Sequence, residues 1–237
     1  MSHTVVITGG TRGIGLATAR RMADAGHRVA VTARNPPTEQ LPDGVTFHAA
    51  DMTDADGLDA ALTDIRDQHG PIGILVANAG LTHDQLVLRL SDDDFAHVID
   101  ANLTGSYRIA KRVIREMMKA RWGRLVFVSS VVGFTGQTGQ ANYAASKAGL
   151  LGLARTLARE FASRGVTSNM VVPGPIDTAM LEAVDDATRE GITAAVPLGR
   201  YGTPDEVAAA IQFLCSDDAA FITGAVLPVD GGLAMGL

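Results

Sequence analysis

A single cysteine, Cys215, in 237 residues excludes an internal disulfide and fits a reducing compartment. Aromatic residues are scarce at 5%, against 46% hydrophobic overall, so any core must be built mainly from Ala, Val, Leu and Ile. That composition suits buried parallel strands covered by helices. Positive charge is also short: 20 Lys and Arg face 26 Asp and Glu, a net charge of −6. Such a balance excludes nucleic acid as a general partner, because phosphate binding needs a net basic footprint. No apolar run approaches the roughly 18 residues that a membrane span needs. A strand-like run begins almost at Met1, which leaves no room for a signal peptide, and the chain reads as soluble and cytoplasmic. It has no cysteine nucleophile with a partnered histidine and no metal-ligand cluster, so no metal site is expected.

What is present is an alternation. Short β-branched runs at Thr4–Thr8, Arg28–Ala33, Val45–Ala49, Ile74–Ala77, Arg124–Ser129, Thr167–Val172 and Val226–Val229 are separated by segments of helical period. The helical segments are Gly13–Ala25, Ala55–Asp67, Asp92–Ala120, Gln140–Ser163 and Pro204–Ser216. This pattern predicts a single-domain α/β fold of Rossmann type over residues 1–237, a doubly wound parallel sheet of about seven strands with helices on both faces. No linker, repeat or low-complexity tract interrupts it. The stretch from Pro175 to Thr203, punctuated by Gly191, Pro197 and Gly202, lacks a clear strand and is expected to form a substrate lid.

After the first strand, Thr8-Gly9-Gly10-Thr11-Arg12-Gly13-Ile14-Gly15 leads straight into a helix. Glycines there let the backbone turn sharply and approach a pyrophosphate, while the helix N-terminus supplies N–H donors. Sites for NAD place an acid at the end of the second strand, but here the sequence reads Val31-Thr32-Ala33-Arg34. Arg34, with Arg12 from the turn, can instead grip a 2′-phosphate, which favours NADP. Both arginines are otherwise ordinary solvated side chains. Asp51, before Met52, stands where an adenine amino group can be bonded, with helix capping as its other reading.

Tyr143 and Lys147 lie four residues apart on one helix face. A phenol in water ionises near pH 10, and an adjacent ammonium is expected to lower that value. Spacing alone does not single this pair out, since Tyr107 and Lys111 share it. Context does: thirteen residues before Tyr143 stands Ser130 at a strand end, whereas the same offset from Tyr107 reaches Asp94 inside a helical pattern. Tyr107 therefore reads as a packing or interface residue. Ser130 taken alone could equally cap the turn that follows it.

Together these residues resemble the short-chain dehydrogenase/reductase family, from Thr4 to the C-terminus. The glycine turn, Asn78-Ala79-Gly80, Asn102 within Asn102-Leu103-Thr104-Gly105, Ser130, the Tyr143/Lys147 pair and Pro173-Gly174 occur in the family's order and spacing. Ala77 departs from it, where many members carry a second asparagine. The resemblance implies a catalytic set of Asn102, Ser130, Tyr143 and Lys147. Tyr143 would protonate the alkoxide formed on hydride transfer, and Ser130 would hold the carbonyl oxygen. Lys147 would bind the nicotinamide ribose and depress the tyrosine, and Asn102 would anchor a relay water. Gly9, Thr11, Arg12, Gly13, Ile14, Gly15, Arg34, Asp51, Met52, Asn78, Ala79 and Gly80 would line the rest of the NADPH site. Pro173, Gly174, Ile176 and Thr178 would meet the nicotinamide end.

Within the family the chain is most similar to 3-oxoacyl-[acyl-carrier-protein] reductases of fatty-acid biosynthesis. The similarity lies in Gln140-Ala141-Asn142-Tyr143-Ala144-Ala145-Ser146-Lys147 and in Val229-Asp230-Gly231-Gly232. Polyketide ketoreductases, acetoacetyl-CoA reductases and secondary-alcohol dehydrogenases remain alternatives, as does a silent NADPH-binding protein. Acyl carrier proteins are acidic, and Arg108, Lys111, Arg112, Arg115, Lys119, Arg121 and Arg124 stand against Glu116 alone over that stretch. Arg121 and Arg164 match positions that the resembling reductases use for docking the carrier. The alternative is a solvated helix face partly buried between subunits. Apolar positions Ile109, Val113, Met117, Leu150, Leu153 and Leu157 suggest a second apolar face and, with the resemblance, a homotetramer.

Overall fold

The computed structural model describes residues 2–178 and 186–236. Seven strands are formed: β1 (Thr4–Thr8), β2 (Arg28–Ala33), β3 (Val45–Ala49), β4 (Ile72–Ala77), β5 (Gly123–Val128), β6 (Val166–Pro173) and β7 (Val226–Val229). They join one sheet in the order β3-β2-β1-β4-β5-β6-β7, and every pairing is parallel. The helices are α1 (Gly13–Asp24), α2 (Ala55–His69), α3 (Asp92–Ile99), α4 (Gly105–Ala120), α5 (Val132–Thr135), α6 (Ala141–Phe161), α7 (Asp186–Ala195) and α8 (Pro204–Cys215).

Strand periodicity divides the interior into two layers. Val5, Ile7, Val29, Val31, Ile74 and Val76 point to one face, where α1 supplies Ala19 and Met22, and α8 supplies Val207, Ile211 and Leu214. Val6, Ala30, Leu75, Leu125 and Phe127 point to the other, beneath Leu58, Leu62 and Ile65 of α2, Ile109, Val113 and Met117 of α4, and Leu150 of α6. Successive side chains on opposite faces are what a sheet covered on both sides requires. The chain reverses direction across the sheet between β1 and β4, so their C-terminal ends frame the crevice where doubly wound sheets bind ligands.

Three expectations change. The helix predicted over Asp92–Ala120 is two helices joined by a π-helical stretch, Asp100–Thr104, whose extra residue per turn periodicity cannot reveal. The segment expected to be a lid contains α7, with Gly191 inside the helix; residues 179–185 of it lie outside the described residues. The second apolar face fails at the residues chosen for it. Ile109, Val113, Met117 and Leu150 are buried in the core, and Leu153 and Leu157 pack against it, because their spacing of three or four residues forms one stripe on each helix. Exposed apolar side chains lie elsewhere, among them Leu86, Val87, Leu88, Phe95, Tyr107, Phe213, Phe221 and Met235. No helix among the described residues is long and apolar enough to cross a membrane.

Candidate active site

The glycine turn leaves β1 with Gly9 at φ 65° and Gly13 at φ 53°, left-handed conformations that glycine adopts freely. Arg12 is the N-cap of α1 and makes no side-chain cap, and the first turn carries no acid, so the leading N–H groups and the positive end of the helix are open to an anion. A Cβ on Gly13 would come 3.4 Å from Thr178 Cγ2, so the loop beyond β6 lies directly against the glycine turn. Ile176 bridges to Gly202, tying that loop to the segment before α8. This open, glycine-lined cradle fits a dinucleotide.

Thr8 and Asn78 lock the crevice. The Thr8 hydroxyl accepts from the N–H groups of Asn78 and Ala79 at 3.0 and 2.9 Å, and Asn78 Nδ2 donates to the carbonyls of Thr8 and Gly9. Arg12 and Arg34 are exposed. Asp51 is partly buried, which opposes its ionisation, but the N–H and hydroxyl of Thr53 and the nearby charge of Arg34 outweigh burial and hold its carboxyl below the usual range. Arg34 and Asp51 thus share one corner beyond the ends of β2 and β3. Capping of α2 falls to Asp54, whose side chain accepts from Asp56 and Gly57 N–H, so the capping alternative for Asp51 is removed.

Ser130 follows β5 by two residues. Its Oγ accepts from the Val132 N–H at 3.3 Å, which realises the turn-capping reading, and the hydroxyl also lies close enough to Tyr143 to act on its phenol. Burial pushes the Tyr143 phenol up, the Ser130 contact pulls it down, and the Asp84 carboxylate adds to the rise; the net direction is upward. The depression expected from Lys147 is therefore reversed. Lys147 is itself buried, which lowers its ammonium to about 8. Its Nζ donates to the Val128 carbonyl at 2.9 Å and lies 5.7 Å from the Tyr143 ring centroid. A Cβ on Gly80 would sit 3.2 Å from that Nζ, so any side chain there would press on the lysine.

Asn102, fully buried in the π-helical stretch, uses its amide completely as a donor. Nδ2 donates to the Leu81 carbonyl at 2.9 Å and to Ser146 Oγ at 3.0 Å, while Oδ1 accepts from the Leu81 N–H at 2.9 Å. Ser146 then donates to the Tyr143 carbonyl at 2.7 Å. The segment after Gly80 is fastened at its other end too, where Gln140 Nε2 donates to Asp84 at 2.7 Å and Asn142 Nδ2 to the His83 carbonyl at 3.0 Å. Sequence reasoning missed Ser146, Asp84 and Asn142. Ser146 adjoins Lys147 in the motif, but nothing in the sequence tells that it links Asn102 to the tyrosine backbone. Pro173 and Gly174 close the crevice at the end of β6, with Ile176 buried behind them. Tyr107 is exposed, with Lys111 Nζ 5.8 Å from its ring centroid, and lies outside this cluster on α4.

A family model described as Enoyl-(Acyl carrier protein) reductase matches residues 9–234. The chain belongs to the short-chain dehydrogenase/reductase family. It is 48% identical over 236 residues to the 3-oxoacyl-[acyl-carrier-protein] reductase MabA of Mycobacterium tuberculosis, spanning 100% of this chain and 94% of that protein. It is 45% identical over 235 residues to the 3-oxoacyl-[acyl-carrier-protein] reductase FabG of Vibrio cholerae, covering 97% and 96% of the two chains. The FabG of Salmonella typhimurium is 44% identical with the same coverage. Membership makes this chain an oxidoreductase and implies a nicotinamide cofactor.

The basic stretch is smaller than its sequence. Arg108 pairs with Asp100 at 2.9 Å and Arg112 with Asp59 at 2.8 Å, while Arg124 is buried against Trp122 and Asp217. Folding thus neutralises three of the seven cations, two of them with acids distant in sequence. Lys111 lies over the Tyr107 ring, and Arg115, Lys119 and Arg121 join Arg164 and Met118 in lining one surface depression.

Proposed function

We propose that this protein is an NADPH-dependent 3-oxoacyl-[acyl-carrier-protein] reductase, a single domain over residues 1–237 with a lid at about 175–203. The carrying observation is that Ser130, Tyr143 and Lys147 gather at the C-terminal end of β5, with Lys147 against Gly80, in a chain nearly half identical over its whole length to reductases of that name. Arg12 and Arg34 would hold the 2′-phosphate, Asp51 and Met52 the adenine, and Gly9, Thr11, Gly13, Ile14 and Gly15 the pyrophosphate. Asn78, Ala79, Gly80, Lys147, Pro173, Gly174, Ile176 and Thr178 would face the ribose and nicotinamide. The bound cofactor supplies hydride.

Ser130 hydrogen-bonds the substrate carbonyl oxygen, and Tyr143 gives its proton to that oxygen as negative charge develops there. Burial keeps Tyr143 protonated at neutral pH, which suits an acid in the reducing direction. Lys147 places positive charge beneath the site, and Asn102 would anchor a water through which the tyrosine proton is replenished from solvent. The carrier protein docks on Arg121 and Arg164, whose cluster faces solvent within an acidic molecule. Exposed Phe213, Phe221 and Met235 suit packing between subunits of a homotetramer.

The test is steady-state kinetics with NADPH and NADH on 3-oxoacyl thioesters of carrier protein and CoA, free ketones, and 2-enoyl thioesters. The expected result is the highest kcat/KM with NADPH and the carrier-bound 3-oxo compound. Preference for a free ketone or an enoyl thioester would replace this reading.

A further inference from the structure

Arg108 occupies the first turn of α4, directly after the π-helical stretch, with a side chain only 24% exposed. Its guanidinium forks. One arm meets Asp100 Oδ1 at 2.9 Å, on the π-helical stretch, and the other donates to the Met52 carbonyl at 3.2 Å. The contact is close throughout, since a Cβ added to Gly105 would fall 2.7 Å from Met52 Cβ. One wall of the crevice, Asp51–Thr53, therefore rests on the start of α4. From the same stretch Asn102 reaches Leu81 and Ser146, and Ser146 reaches the Tyr143 carbonyl. A π-helical insertion is an uncommon geometry that its surroundings must hold in place, and a planar guanidinium with two partners at fixed angles can do so where a single-point cation cannot.

We propose that Arg108 is a positioning residue through which the grip on the adenine half of the cofactor and the placement of Asn102 depend on each other. The proposal rests on Asp51 and Met52 facing adenine. Spatial continuity alone does not demonstrate coupling, so the test must read both ends. Arg108→Met and Arg108→Lys are compared in the full chain. Adenosine 2′,5′-bisphosphate, which carries only the adenine half, is titrated by calorimetry, and kcat is measured at saturating NADPH.

Arg108→Met is expected to weaken adenosine 2′,5′-bisphosphate by about tenfold, the scale of one lost charge-assisted hydrogen bond, and to lower kcat by about as much. Arg108→Lys should recover part of the binding and little of kcat, because an ammonium reaches one partner at a time. In a cycle with Asn102→Ala the two losses in kcat should overlap instead of adding. Unchanged binding, unchanged kcat, or additive losses would each overturn the coupling, whatever happens to the melting temperature. Asp51→Asn provides the control. If it binds the bisphosphate like the parent, the adenine placement fails and the proposal with it; if it binds weakly while Arg108→Met does not, only the coupling fails.

Discussion

Arg121 is the only non-glycine residue at positive φ among the described residues, with φ 53° and ψ 34° at the C-cap of α4. A side chain in that conformation costs about 1–2 kcal/mol, and glycine is the usual solution. Replacing Arg121 by glycine relieves the strain. Against this stand about 0.5–1 kcal/mol from glycine's greater freedom in the unfolded chain, and an exposed hydrogen bond from Nη2 to the Ser163 carbonyl at 3.2 Å. The terms nearly cancel, so Arg121→Gly should melt within about 3 °C of the parent, given about 2–4 °C per kcal/mol at this size. Arg121→Ala keeps the strain and should melt lower than Arg121→Gly. Both lose the same charge from the cluster with Arg115, Lys119 and Arg164. Both should therefore raise KM for a carrier-bound 3-oxoacyl substrate by about two- to fivefold at low salt, and less at high salt where the charge is screened. Turnover of a small free thioester should not change. If Arg121→Gly melted far below Arg121→Ala, the strain argument would be wrong. If both substrates slowed together, the arginine would be supporting the fold and not docking a carrier.

Tyr143→Phe should remove most turnover and leave NADPH affinity nearly unchanged, whereas Tyr107→Phe should be close to neutral; a crippled Tyr107→Phe would move the active site. Arg34→Ala should weaken NADPH by about tenfold in a fluorescence titration and leave NADH unaffected, and an equal loss of both would remove the 2′-phosphate assignment. Lys147→Met should abolish activity yet stabilise the ligand-free protein. Burial lowers Lys147 to about 8 from 10.5, so the folded state binds fewer protons than the unfolded state between those values. Stability therefore rises with pH across that window, and the cost of the buried ammonium is fully present below it, on the order of 3 kcal/mol. Thermal melts should show the largest gain for Lys147→Met near neutral pH and little near pH 10.5; a variant that melted lower at pH 7 would contradict this.

Much of this protein was legible in the chain because the signals are local. The continuous apolar run Val5, Val6 and Ile7 signals a strand buried on both faces, as the two layers confirm, and the glycines between Thr8 and Ile14 admit a sharp turn into α1. The sequence by itself therefore determined the parallel α/β order, the cradle after β1, and the pairing of Tyr143 with Lys147 on one helix face. Tertiary structure alone decided whatever depends on partners distant in sequence. Asp59 and Asp217 cancel Arg112 and Arg124, and Asp100 reaches Arg108 across the π-helical stretch, so of seven cations only Arg115, Lys119 and Arg121 form a cluster, joined by Arg164. Ser130 proved to be a turn cap and a tyrosine partner at once. The direction of the Tyr143 shift belongs here as well, since it follows from how much water the folded chain removes from the phenol, and desolvation is a property of packing that no spacing of residues encodes.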